Sequence, residues 1–294
     1  MFEGVYTAIA TPFRNNEIDQ AAFKRLIDDQ VANGIHGIVV CGTTGESATL
    51  STSEHHKLID LAIEYADKRI KVIAGTGSNN TAEAVELSQS AEKSGADGLL
   101  LIAPYYNKPT QRGLYEHFKT IAEAVSLPVI IYDVPGRTAV SINPATTVKL
   151  YKDVKNIIGI KEATGSLGNI IDILENVDED FLLTSGDDFT FLPSLAAGGK
   201  GTISVTSNLL PAKVVEVYNL FQAGKIKEAA KLQIELNEFH HAMFTETSPI
   251  PVKYALYLAG FFTDEVRSPL TILDESLQEP LRNTMKKYNI EVTN

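Results

Sequence analysis

Ile157-Ile158-Gly159-Ile160 is apolar on four consecutive positions and turns polar at once, into Lys161-Glu162-Ala163-Thr164-Gly165. The run is too short for a helix and lacks the alternation of a half-buried strand. It therefore predicts a strand covered on both faces in a parallel sheet. Seven further runs, rich in Val, Ile and Leu, read the same way: Val5–Ala10, Gly37–Val40, Val72–Ala74, Leu99–Ala103, Val129–Tyr132, Phe181–Thr184 and Thr202–Val205. Between them lie stretches of helical period. Asp19–Asn33 sets Phe23, Leu26, Ile27 and Val31 on one face, and Thr81–Ser94, Gly113–Val125 and Ala212–Phe221 behave similarly. Successive strands lie about 20 to 34 residues apart, the length of one βα unit. Eight such units predict an α/β fold, a (β/α)8 TIM barrel over residues 1–224, more naturally than an open doubly wound sheet. Beyond residue 224 the strand pattern stops. Lys225–His241 is helical in period, Pro249 and Pro251 interrupt it, and Val252–Phe262 and Ser276–Tyr288 resume it, so 225–294 is expected to be a C-terminal helical region.

The bulk numbers suit a globular protein: 294 residues, 44% hydrophobic and 21% charged. A formal net charge of −11 argues against nucleic acid or an anionic membrane as main partner, without excluding a locally basic pocket for small anions. The one cysteine, Cys41, leaves no partner for an intrachain disulfide and suggests a reducing compartment. The opening MFEGVYTAIATPF lacks the basic start and long apolar run of a signal peptide. No stretch reaches the roughly 18 apolar residues of a spanning helix. A cytoplasmic protein is expected.

In such a barrel the loops after the strands carry the chemistry. Lys161 closes its strand, so its amine would sit in or over an apolar interior, where burial lowers the pKa and frees a nucleophile for a carbonyl. The plain alternatives are a lysine snorkelling at a strand end and one half of a pair with Glu162. Gly42-Thr43-Thr44-Gly45 offers hydroxyls and backbone N–H groups suited to a carboxylate, or else is a turn in which Thr44 or Ser47 caps the next helix. Tyr132 can relay protons, and Arg137, five residues on around Pro135-Gly136, can grip a carboxylate; their alternatives are an aromatic plug and a surface arginine. Tyr105-Tyr106 reads first as packing. The adjacent pairs His55-His56 and His240-His241 diverge on a helix, so no metal is expected. Cys41 reads as a small core residue, and Gly75-Thr76-Gly77 is too short for a dinucleotide fingerprint.

Taken together and in order, several segments resemble the dihydrodipicolinate synthase family of pyruvate-dependent class I aldolases, the superfamily that includes N-acetylneuraminate lyase. They are Gly42–Ser47, Tyr105–Pro109, Tyr132–Thr138, Gly159–Gly165, Ser185–Asp188 and Pro249–Lys253. The resemblance implies condensation of pyruvate with L-aspartate-4-semialdehyde, with no metal or organic cofactor. It assigns the Schiff base to Lys161 and a proton relay to Thr43, Tyr132 and Tyr106, the last from a neighbouring subunit. It gives the pyruvate carboxylate to Thr43 and Thr44, the semialdehyde carboxylate to Arg137, and the pocket lining to Gly186 and Ile203. It further implies a homotetramer, a dimer of dimers, inhibited by lysine at Ser47, Ala48, His55, Asn79, Glu83 and Tyr105. The chain departs from the family in two places: Asp133 and Ser248 stand where Asn is usual. The alternatives are a sugar-acid lyase of the same superfamily and an inert barrel acting as a binding protein.

Overall fold

A computed structural model describes residues 2–293. Eight strands make up the main sheet: β1 (Gly4–Ala8), β2 (Gly37–Val40), β3 (Lys71–Gly75), β4 (Gly98–Ile102), β5 (Val129–Asp133), β6 (Ile157–Glu162), β7 (Leu182–Ser185) and β8 (Gly201–Ser204). They are ordered β1-β8-β7-β6-β5-β4-β3-β2 and close into a barrel. Each strand is followed by a helix: α1 (Gln20–Ala32), α2 (Thr52–Ala66), α3 (Thr81–Ser94), α4 (Gln111–Glu123), α5 (Pro144–Asp153), α6 (Leu167–Leu174), α7 (Phe191–Ala196) and α8 (Pro211–Gln222). This is the (β/α)8 TIM barrel that the apolar runs predict. Four more helices follow: α9 (Ile226–Glu235), α10 (Asn237–Ala242), α11 (Ile250–Leu258) and α12 (Glu275–Lys287). The single helical stretch expected over Lys225–His241 divides at Leu236. Helix α11 begins at Ile250, ahead of Val252, because Pro251 falls in its first turn, where no intrahelical N–H is needed.

The chain forms two compact units. The first comprises residues 1–4 and 71–203. Its strands are buried over most of their length, with Leu99, Leu101, Val129, Ile131 and Leu183 each 0% exposed. The parallel register runs Leu99↔Val129 to Ile102↔Tyr132, then Ile131↔Ile160 and Tyr132↔Lys161, then Lys161↔Thr184. Gly159 permits the close approach of β6 to β7, since a Cβ there would lie 1.9 Å from the Leu182 carbonyl oxygen. Side chains close the helix starts: Asn80 accepts from the Ala82 N–H on α3, Thr110 from Gly113 on α4 and Ser166 from Asn169 on α6.

The second unit comprises residues 5–70 and 204–294. It holds β1, β2, α1, α2, a two-residue-per-strand hairpin at Phe13–Arg14 and Glu17–Ile18, and helices α8 to α12. Asp19 caps α1. Ser51 and Glu54 form a reciprocal capping box at α2. The cap of that helix is therefore neither Thr44 nor Ser47. Position 224, where the strand pattern of the sequence ends, is the turn between α8 and α9, inside this unit. Among the described residues no helix is long and apolar enough to cross a membrane.

Candidate active site

In the first unit, Tyr132 on β5 and Lys161 on β6 are register partners. Residues paired across parallel strands point to the same face, so their side chains meet. The Lys161 Nζ lies 4.3 Å from the Tyr132 ring centroid. Lys161 is 6% exposed and Tyr132 7%. Burial brings the Lys161 pKa down to about 7; Arg137 lowers it further, and Asp188 opposes the shift. No ion pair among the described residues of this unit includes Lys161. A substantial fraction of the amine is thus neutral near neutral pH, which a nucleophile for a carbonyl requires.

The suggested pair with Glu162 does not form. Consecutive strand residues face opposite ways, and Glu162 instead accepts from the Thr164 N–H at 3.2 Å and from its hydroxyl. Arg137 lies in a single helical turn, Pro135–Thr138, and is exposed. Gly186 packs against the lysine stem: a Cβ there would be 2.7 Å from Lys161 Cε. Ile203, on β8, is 1% exposed. Tyr106 is 90% exposed with φ of 72°, which does not suit the packing role first read for it. Asn79 Nδ2 donates to the Tyr105 carbonyl and Asn107 Nδ2 to the Asn79 carbonyl, tying that loop together. The exposed Glu83 accepts from the Ser78 hydroxyl.

In the second unit, the turn after β2 is built by backbone hydrogen bonds. Gly45 N–H donates to the Gly42 carbonyl at 3.1 Å, Glu46 N–H to Thr43 at 3.0 Å and Ser47 N–H to Gly42 at 3.3 Å. Thr43 is half-buried and Thr44 is buried. Ser47 begins a short 3-10 turn, Ala48 is exposed and His55 is buried on α2. Cys41 is buried, its thiol pushed up by desolvation, and it donates weakly to the His55 carbonyl at 3.7 Å.

What the sequence reading missed here is the role of Lys253 in the Pro249–Lys253 segment. Lys253 is 0% exposed and forms an ion pair with the buried Glu46. Glu46 also accepts from the Arg267 backbone N–H at 2.9 Å, and Arg267 makes a two-pronged contact with Glu54 at 3.0 and 2.6 Å. Lys253 Nζ and the Arg267 guanidinium lie 4.4 and 4.1 Å from the Phe13 ring centroid. The turn that carries Thr43 and Thr44 is thereby fixed from behind. No sequence pattern announces the pair: its members lie 207 residues apart, and the left-handed backbone of Glu46 (φ 54°) is seen only in the structure.

Barrel and buried amine define the class: an enzyme of the Schiff-base-forming aldolase type. The chain matches the model of the dihydrodipicolinate synthetase family over residues 1–288, and it belongs to that family. A relative in Nitratidesulfovibrio vulgaris, named 4-hydroxy-tetrahydrodipicolinate synthase, is 52% identical over 98% of this chain and 99% of its own. The structure of the chloride-inhibited dihydrodipicolinate synthase of Acinetobacter baumannii, complexed with pyruvate, is 43% identical. It superposes with a TM-score of 0.96 over 99% of this chain and 100% of its own. The enzyme of Cyanidioschyzon merolae with lysine bound is 38% identical, with a TM-score of 0.96 over 98% and 99% of the two chains.

Proposed function

We propose that the chain condenses pyruvate with L-aspartate-4-semialdehyde to give 4-hydroxy-tetrahydrodipicolinate, through an imine on Lys161. The observation that carries the reading is the buried amine of Lys161, held against the Tyr132 ring with a pKa of about 7. The neutral amine adds to the pyruvate carbonyl, a proton is taken up and water leaves, giving a protonated imine. That imine draws electrons from the methyl carbon, which loses a proton to form an enamine. The enamine carbon attacks the aldehyde, whose oxygen takes up a proton. The amino group of the joined substrate then attacks the imine carbon, closes the ring and releases Lys161. The imine itself is the electron sink, so each step needs only a proton donor or acceptor. Tyr132, whose ring lies beside the amine, is one such group. By resemblance, Thr43 and Tyr106 complete the relay, Thr43 and Thr44 hold the pyruvate carboxylate, and Gly186 and Ile203 line the pocket. Arg137, exposed on its helical turn, receives the semialdehyde carboxylate by two parallel hydrogen bonds.

The pyruvate complex of the Acinetobacter relative supports the first substrate. The synthase name of the Nitratidesulfovibrio relative favours condensation over sugar-acid cleavage. The 90% exposure of Tyr106 supports its delivery to another subunit, in a homotetramer built as a dimer of dimers. The lysine-bound relative supports lysine binding; by resemblance, lysine inhibits at Ser47, Ala48, His55, Asn79, Glu83 and Tyr105. We read the enzyme as cytoplasmic, a reading that its single buried thiol supports.

Borohydride reduction in the presence of pyruvate tests the reading. One pyruvate-derived adduct per chain is expected on Lys161 by peptide mass spectrometry. Its rate of formation should rise as pH passes upward through about 7, the neutral amine being the reacting form. An unmodified chain, or an adduct on another lysine, would overturn it.

A further inference from the structure

Asp133 and Glu162 follow Tyr132 and Lys161 by one residue each, and the register pairs Asp133 with Glu162 as it pairs the two before them. Their side chains therefore lie together on the face opposite the phenol and the amine. Both are buried, at 2% and 1% exposure. Each has one oxygen well served. Asp133 Oδ2 accepts from Ser141 Oγ at 2.8 Å, and Glu162 Oε1 accepts from Thr164. The other oxygen of each, Asp133 Oδ1 and Glu162 Oε2, is buried with no hydrogen-bond partner.

Two such oxygens on neighbouring strands, about 4.8 Å apart at the backbone, cannot both carry charge cheaply. One added proton turns one of them into a donor and leaves the other as its acceptor. Among the described residues no ion pair includes either carboxylate. The charges acting on Glu162 are Asp133 and Asp187, both negative, and Asp133 is bound only by Ser141 and the Ile142 N–H. Helix α5, beside β6, carries Lys149, Lys152 and Asp153, but Lys149 is spent on Asp153 at the surface. Desolvation raises both carboxyls, Glu162 to about 7.

We propose that Asp133 and Glu162 hold one proton in common, and that this shared proton ties the ends of β5 and β6 so that Tyr132 and Lys161 keep their spacing. Both are positioning residues, acting through the backbone of the residue before each. Loss of the proton sets two carboxylates against each other across adjacent strands and parts the two ends. The kinetic consequence rests on the reading of Lys161 as the nucleophile; the shared proton itself does not.

The test compares wild type with Asp133→Asn and Glu162→Gln. At and below neutral pH, infrared spectra of the wild type should contain a carboxylic-acid C=O band that neither variant shows. Wild-type turnover should fall on the alkaline side by about tenfold per pH unit, as expected for one essential proton. Asp133→Asn, whose amide donates to Glu162 without titrating, should keep the acid limb set by Lys161 and lose the alkaline fall, with KM for pyruvate unchanged. Identical spectra in all three proteins, or an alkaline limb that survives in both variants, would overturn the proposal. If the band is present but pyruvate is not trapped on Lys161, the catalytic reading fails and the shared proton stands.

Discussion

Two lysines of this chain are almost completely buried, and they do opposite things. Lys161, next to last on β6, has a ring at 4.3 Å and no carboxylate in ion-pair contact within its unit. Lys253, on α11, lies at the same depth over the Phe13 ring, with Glu46 paired to its ammonium. Burial pulls both pKa values down; Glu46 opposes the shift at Lys253, and Asp188 opposes it at Lys161, which comes down to about 7. Burial alone does not make a nucleophile. Lys161 differs in having no ion-pair contact, which leaves neutralisation as the cheaper way to sit in a low-dielectric site. On the function proposed above, the paired lysine is a strut and the one without an ion-pair contact is the reagent.

The same substitution at both places separates the two roles. Lys161→Met should abolish pyruvate trapping and lower turnover by roughly a thousandfold, since no other group supplies the imine nitrogen. Its melting temperature should hold or rise, because an uncompensated buried amine is gone. Lys253→Met should do the reverse. It strands Glu46 as a buried, unpaired carboxylate at a cost of about 3–5 kcal/mol, read as a large loss in melting temperature. A double variant, Lys253→Met with Glu46→Gln, should recover most of that loss. If Lys161→Met were the unstable one, or if Lys253→Met melted like wild type, the distinction between strut and reagent would fail.

How much of this could be read from the chain alone follows from what each feature depends on. The eight strands were legible because burial on both faces writes a continuous apolar run, as at Leu99–Ile102. Lys161 stood out because it interrupts such a run. Tyr132 could be named as a candidate, but its place beside Lys161 depends on the β5–β6 register, which includes a shift between Val129 and Ile130. The same register makes neighbours of Asp133 and Glu162, and nothing in either segment specifies it. The Glu46–Lys253 pair joins residues 207 positions apart, and no local pattern encodes such a contact. Helix ends were partly hidden for a related reason. Ser51 with Glu54 is a capping box in plain sight, yet Thr44 and Ser47 offer equally good capping hydroxyls, and only the 3-10 turn at Ser47–Thr49 decides between them.

The smallest expected effect tests whether the reagent needs room as well as neutrality. A Cβ at Gly186 would lie 2.7 Å from Lys161 Cε, 2.9 Å from its Cγ and 2.8 Å from the Ala163 Cβ. Real Cβ atoms do not come that close, so Gly186→Ala must displace the lysine stem, the more mobile of the two neighbours. A side chain driven off its rotamer costs about 1 kcal/mol, and an amine moved by a fraction of an ångström loses its line of approach to the carbonyl. Trapping and turnover should therefore drop by about tenfold, equivalent to about 1.4 kcal/mol, while stability changes little. The acid limb of the pH profile should stay where it is, because a single added methyl leaves Arg137 and Asp188 acting on the amine as before. A limb displaced by a full pH unit would mean that the methyl acts on the charge of Lys161; a rate equal to wild type would mean that the stem of Lys161 has freedom to spare and that its nucleophilicity rests on desolvation alone.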